Sequence, residues 1–162
     1  MIEMLVRSVK RADGDRLVAV LERDGMGEQP LGRLLVTISR AEAHVVYHEL
    51  RGERTLPGQT YELMAEVVSQ LHGKLTAVEL LVGDAGKPAA RLRLERPDGR
   101  TAVPTRAGQA IALAVHLKVP LLVAESLMTG QPPAEPTSDG DVPAIAEATI
   151  EVPEVFLRAF DE

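Results

Sequence analysis

The chain has 162 residues, 45% hydrophobic and only 2% aromatic, with no cysteine, no tryptophan and a formal net charge of −6. That length builds one domain with a real core, while the missing cysteines exclude disulfides and thiolate metal sites and the few aromatics remove base-stacking platforms. Charge is uneven: residues 1–129 carry 17 Lys and Arg against 16 Asp and Glu (+1), and residues 130–162 carry 1 against 8 (−7), so a local basic face is compatible with the body but a strongly basic nucleic-acid binder is not.

Met1-Ile2-Glu3-Met4 lacks both a basic and an apolar leader character, and no run approaches the roughly 20 apolar residues of a membrane span, so a cytoplasmic chain without membrane contact is expected. Ile2 to Lys10 alternates as a strand, Ala12-Asp13-Gly14-Asp15 turns, and Leu17 to Leu21 returns as its partner. Asp24-Gly25-Met26-Gly27 leads to a third strand, Arg33 to Ile38. Ser39-Arg40-Ala41-Glu42 has the form of a capping box that opens a helix, with Ala43, Val46, Tyr47 and Leu50 as its apolar stripe and Gly52 as its left-handed stop. After a loop with Pro57 and Gly58, Leu63, Met64, Val67, Val68 and Leu71 form the stripe of a second helix, ended by Gly73, with Glu62, Glu66 and Gln70 on its solvent side.

The pattern then recurs. Leu75 to Val82 is an apolar strand, Asp84 to Pro88 a turn, Ala90 to Glu95 a strand with one wet face, and Pro97-Asp98-Gly99 turns into Thr101-Ala102-Val103. Ala110 to Val115 is apolar all round a helical wheel, so this helix must be buried on every side, and Pro120 to Val123 reads as a short buried strand. Setting Arg33 against Arg100 aligns Glu42-Ala43 with Gln109-Ala110 and Leu50 with Leu117, a constant offset of 67. The expected fold is therefore α/β of the α+β kind: a duplicated three-strand, two-helix unit around a mixed sheet, with residues 124–128 as the shortened last helix. Residues 130–143 are rich in proline and acids and read as a flexible linker, after which Pro153, Val155, Phe156, Leu157 and Phe160 read as a short helix that docks on something.

Candidate chemistry is sparse. His44 and His48 stand at i and i+4 with Glu49 beside them, but zinc-protease patterns need glutamate where Val45 or Tyr47 stands, so two histidines on an outer helix face are the simpler reading. Glu42 and Gln109 occupy matching helix starts, and capping accounts for both. Arg91 and Arg93 share a strand face near Arg96 and Arg100 and could touch phosphate, although a solvated edge or a charged interface explains them as well.

The segments Val36 to Ala43, Thr60-Tyr61-Glu62-Leu63-Met64, Val103 to Ala114 and Val119 to Glu125 resemble the bifunctional nuclease domain family of bacteria and plants, over about residues 1–128. The resemblance implies a duplicated α/β unit around a mixed sheet and cleavage of RNA and DNA. Where members usually have Thr-His-Asp, this chain has Thr60-Tyr61-Glu62; where they usually have Arg-Pro-Ser-Asp, it has Arg106-Ala107-Gly108-Gln109, keeping the arginine and losing the acid. The residues left for catalysis are Glu42, Glu62 and Arg106, with Arg106 on a phosphate and Glu42 or Glu62 assisting proton or metal chemistry, Mg²⁺ or Mn²⁺ being the divalent candidates. The rival reading is a non-catalytic homo-oligomeric module, a dimer first of all, that binds a partner protein; the lost His and Asp favour it. Two domains of organisation are expected, the body at residues 1–129 and the tail at 130–162, with the −7 of the tail set against Arg91, Arg93, Arg96 and Arg100.

Overall fold

The computed structural model describes residues 1–23 and 32–129. The expected turn at residues 24–27 and the tail beyond residue 129, with its proposed helix and both phenylalanines, lie outside the described residues. In chain order the elements are β1 (Ile2–Ala12), β2 (Arg16–Arg23), β3 (Arg33–Ile38), α1 (Arg40–Leu50), α2 (Leu56–Gln70), β4 (Lys74–Val82), β5 (Pro88–Arg96), β6 (Gly99–Arg106), α3 (Ala107–Leu117), β7 (Leu121–Val123) and α4 (Glu125–Thr129). They form one seven-stranded mixed sheet in the order β3-β2-β1-β7-β4-β5-β6. Two antiparallel meanders, β1-β2-β3 and β4-β5-β6, thus face each other across β7, which is antiparallel to β1 and parallel to β4.

The two halves repeat in detail. Each first hairpin turns through a single 3-10 turn with two consecutive left-handed residues, Gly14 (φ 69°) and Asp15 (φ 64°) in one, Ala85 (φ 54°) and Gly86 (φ 73°) in the other. Such a turn matches the right-handed twist of the strands it joins. Each outer hairpin carries a cross-strand ion pair at the same place: Arg33 donates to Glu22 at 2.9 Å, and Arg100 to Glu95 at 3.3 Å. The helices α1 and α3 occupy residues 40–50 and 107–117, the same window after a shift of 67.

The core lies between the sheet and these two helices. Ala110, Ile111 and Ala112 are fully buried and Leu113 and Ala114 nearly so, as an all-round apolar helix requires. α3 touches β3 at one edge of the sheet and β4 and β5 in the other half, so the sheet curls about it, and α1 and α2 cover its remaining sides. The central helix is thus held by strands on one side and helices on the other.

Three local expectations are revised. The stripe of α1 turns toward Ala43, Val45 and Val46, and Leu50 is exposed, because α1 leans on α3, β1 and β2. α2 begins at Leu56 under a Thr55 cap, so Pro57 and Gly58 belong to its first turn, where proline is tolerated. At its other end His72 takes the left-handed conformation (φ 57°), and Gly73 is needed instead for its approach to Val68, whose side chain and carbonyl a Cβ would meet at 3.0 and 3.1 Å.

Candidate functional site

α1 and α3 lie side by side and point the same way, since Glu42 meets the first turn of α3 and Glu49 meets its last. At the start of α1 the capping box forms as expected: the Glu42 amide donates to Ser39 Oγ at 3.2 Å, and the Ser39 amide donates to Glu42 Oε2 at 2.7 Å. α3 departs from it, with Arg106 at the N-cap giving no side-chain cap and Gln109 accepting from the Thr105 hydroxyl at 3.1 Å. Capping therefore explains Glu42 and not Gln109.

The freed position at Arg106 is used across the seam. Its guanidinium stands 3.6 Å from Glu42 Oε1, with Glu42 only 10% and Arg106 81% exposed. A Cβ on Gly108 would fall 2.3 Å from Glu42 Oε2, so glycine is what lets the carboxylate lie on the first turn of α3. There the positive end of the helix dipole adds to its stabilisation.

Seven residues further along the same two helices, at the positions related by the offset of 67, His116 Nδ1 donates to Glu49 Oε1 at 2.6 Å. A carboxylate only accepts, so Nδ1 carries the proton of this bond, and Nε2 faces Glu62 Oε1 across 3.6 Å, beyond hydrogen-bond distance. The His116 side chain is 6% exposed and that of Glu62 48%. α2 crosses close here because Gly58 has no side chain; a Cβ would meet His116 Cε1 at 3.0 Å. Tyr61 fills the interval between the two polar groups, its ring centroid 5.9 Å from that of His116. Burial, and then the Glu42 carboxylate, push its hydroxyl above the ordinary tyrosine value, with Arg106 opposing, so it stays a hydrogen-bond donor.

The three residues expected for catalysis are thus gathered at one seam, Arg106 directly on Glu42 and Glu62 beyond Tyr61 on His116. His116 was not foreseen as a site residue, and Glu49 was considered only beside His44 and His48. The signal was present in the offset itself, which pairs a glutamate with a histidine at equal places on two helices of the duplicated unit.

Other candidates are placed differently. Glu49 faces His116 rather than the His44–His48 pair; those rings lie 4.3 Å apart, and His48 Nδ1 is bonded to Glu53. His44 Nδ1 is buried with no partner among the described residues, and burial followed by the neighbouring His48 lowers its pKa. Arg91 and Arg93 both bond to Glu79, which is 2% exposed, while Arg96 pairs with Asp98 and Arg100 with Glu95. Three carboxylates of the body serve these four arginines, Glu79 being shared by Arg91 and Arg93, and the acidic tail expected beside them lies outside the described residues. A divalent ion does not fit the seam as built, because Glu42 faces a guanidinium and Glu49 and Glu62 both face one imidazole. Among the described residues no group of three or more His, Asp or Glu side chains is arranged to hold a metal ion, and no helix is long and apolar enough to cross a membrane.

A mixed seven-stranded sheet of two meanders, with a polar seam between the paired helices of its two halves, defines the class as a duplicated α+β domain. A family model of the bifunctional nuclease domain matches residues 25–133, and the chain belongs to that family. The match begins after β2, whereas the sequence resemblance was drawn from about residue 1. No curated protein matches the chain.

Proposed function

We propose that the seam between α1, α2 and α3 cleaves phosphodiester bonds of nucleic acid by proton transfer and charge neutralisation. The observation that carries this reading is that an exposed arginine paired with Glu42 and a half-exposed carboxylate facing His116 lie along one seam, with Tyr61 between them. Arg106 contacts a non-bridging phosphate oxygen and offsets the charge that grows there. Glu62 takes the proton from the attacking hydroxyl of water or ribose, and the departing oxygen takes its proton from solvent. Glu42 positions Arg106, Glu49 orients His116, and His116 backs Glu62 from the buried side; Tyr61 closes the interval between them. Membership of the bifunctional nuclease family supports the substrate class.

The test incubates the protein with single-stranded RNA and DNA, with divalent metal and with chelator, beside Arg106→Ala and Glu62→Gln. Loss of a general base costs about 10²–10⁴ in rate, so both variants are expected to fall to near background while His116→Asn falls partway. Absence of cleavage by the unaltered chain in all conditions, or full activity in both variants, overturns the assignment.

A second reading, a homo-oligomeric binding module, is favoured by a different observation. Leu56, Leu63, Val67 and Leu71 lie along one side of α2 with exposures of 78%, 64%, 50% and 70%, an apolar stripe of the kind that marks an interaction surface. Under this reading a second copy packs its own α2 there about a two-fold axis. Light scattering decides it: a dimer that Leu63→Glu with Val67→Glu converts to monomer supports the stripe as the interface, and a monomer at micromolar concentration removes it.

A further inference from the structure

On the side of α2 away from that exposed stripe, the helix does not close against the sheet. A groove of about 410 Å³ runs between them, walled by Met64 and Val68 of α2, Leu92 and Leu94 of β5, Val103 of β6 and Leu117 of α3. Its size falls in the range of pockets that bury most of a drug-sized molecule. The walls are aliphatic, and among the side chains lining it Lys74 is the one charged group and Ser69 the other polar one. α2 is therefore seated at its N-terminal end by Gly58 and Tyr61 against His116, and at its C-terminal end stands over apolar surface it does not cover.

We propose that this groove takes residues 153–160 of the same chain, with Phe156 and Phe160 as its anchors. Those are the two phenylalanines of the whole sequence, they stand at i and i+4, and Pro153 suits the first turn of a helix that would present both on one side. An amphipathic helix lying in an aliphatic groove is a common mode of recognition. The reach is right. β7 runs parallel to β4 with Val123 beside Leu80, so the chain leaves the sheet five residues beyond Leu75 at the groove, roughly 17 Å along the strand, and α4 adds at most about 7 Å before the linker begins. Residues 130–152 number 23, and a chain of that length spans roughly 26 Å as a coil and roughly 70 Å as an extended proline-rich segment. A linker whose mean span matches the gap holds its ligand at the highest effective concentration. Docking in the same molecule then needs little intrinsic affinity. The occupied groove would clamp the C-terminal half of α2, and with it the helix that carries Tyr61 and Glu62.

Since the chain has no tryptophan, full-length Phe156→Trp places a single indole in the segment. Its fluorescence should be blue-shifted relative to the denatured protein, unchanged on dilution, and returned to the solvent position by Val103→Glu, a change at a residue 42% exposed on the groove wall. An indole that is solvent-exposed from the outset, or that keeps its blue shift with Val103→Glu in a folded protein, overturns the proposal. A blue shift that vanishes on dilution assigns the segment to a neighbouring copy and overturns docking within one molecule. As a second readout, independent of whether Val103→Glu folds, hydrogen exchange of the α2 amides is compared between the full chain and Phe156→Ser with Phe160→Ser. The expected rise is about tenfold in the C-terminal half of α2; unchanged exchange there refutes the clamp.

Discussion

The two halves of the molecule share a meander, a turn geometry, a cross-strand ion pair and a helix of eleven residues, yet the helices have opposite fates. α3 is buried from Ala107 through Ala114 apart from Gln109, while α1 keeps His44, Tyr47, His48 and Glu49 on a partly wet face. One copy of the unit became the core and the other kept a surface, and the polar seam formed where the two meet. A duplication thus makes a site without a new element, because residues at equal places in the two helices are brought face to face. Glu49 and His116, 67 positions apart, are that case.

Equivalent substitutions break or sharpen this contrast. Ile111 is fully buried and its counterpart under the offset is the partly exposed His44. Ile111→Ala should cost about 2–5 kcal/mol, and His44→Ala less than about 1 kcal/mol, in denaturant unfolding of otherwise identical chains. Equal costs would mean that the halves are packed alike after all. Next in size, Gly108→Ala forces a Cβ onto the Glu42 carboxylate and should destabilise by about 1–3 kcal/mol, although alanine is the better helix former. At the matching exposed position Ala41→Gly should cost about 0.5–1 kcal/mol for backbone freedom alone. A neutral Gly108→Ala would show that Glu42 is free to move off α3.

Two smaller effects depend on pH. Tyr61 has its hydroxyl pKa raised in the fold, by burial first, so its contribution to stability is whole below the ordinary tyrosine value of about 10 and is lost as pH rises through the higher folded value. Ultraviolet titration should show a tyrosinate step above the ordinary range that Tyr61→Phe removes; a wild-type curve with no such step would contradict the buried seam. His44 shows the opposite sign on the wetter helix. Its pKa is lowered, by burial and then by His48, so its contribution is present above about pH 6.5 and is lost as pH falls through the lower folded value. Thermal melts from neutral pH downward should lose less stability in His44→Gln than in the unaltered chain, and parallel curves would mean that His44 is solvated.

Much of the fold was legible because its signals are local or repeated. Period-two alternation, the Ser39–Glu42 capping box, the Asp-Gly turns and the all-apolar Ala110 to Val115 each act within a few residues. The offset of 67 extended that local information to the order of the elements. The candidates Glu42, Glu62 and Arg106 came from the family resemblance, and the fold sets Arg106 beside Glu42 and Glu62 beside His116.

Tertiary structure alone decided what depends on helices crossing. Leu63, Val67 and Leu71 satisfy a helical stripe, but α2 turns Tyr61 to the core and Met64 and Val68 to the groove instead, since Gly58 brings its N-terminal end down on His116 and its other end stands over the groove. Arg91 and Arg93 look like a basic patch along their strand, and the neighbouring strand supplies a buried carboxylate, Glu79, that binds both and halves their charge. Amphipathic period fixes which residues are apolar together; which of several apolar sides is covered depends on the close approach of glycines and on charges from other strands, neither of which a period records.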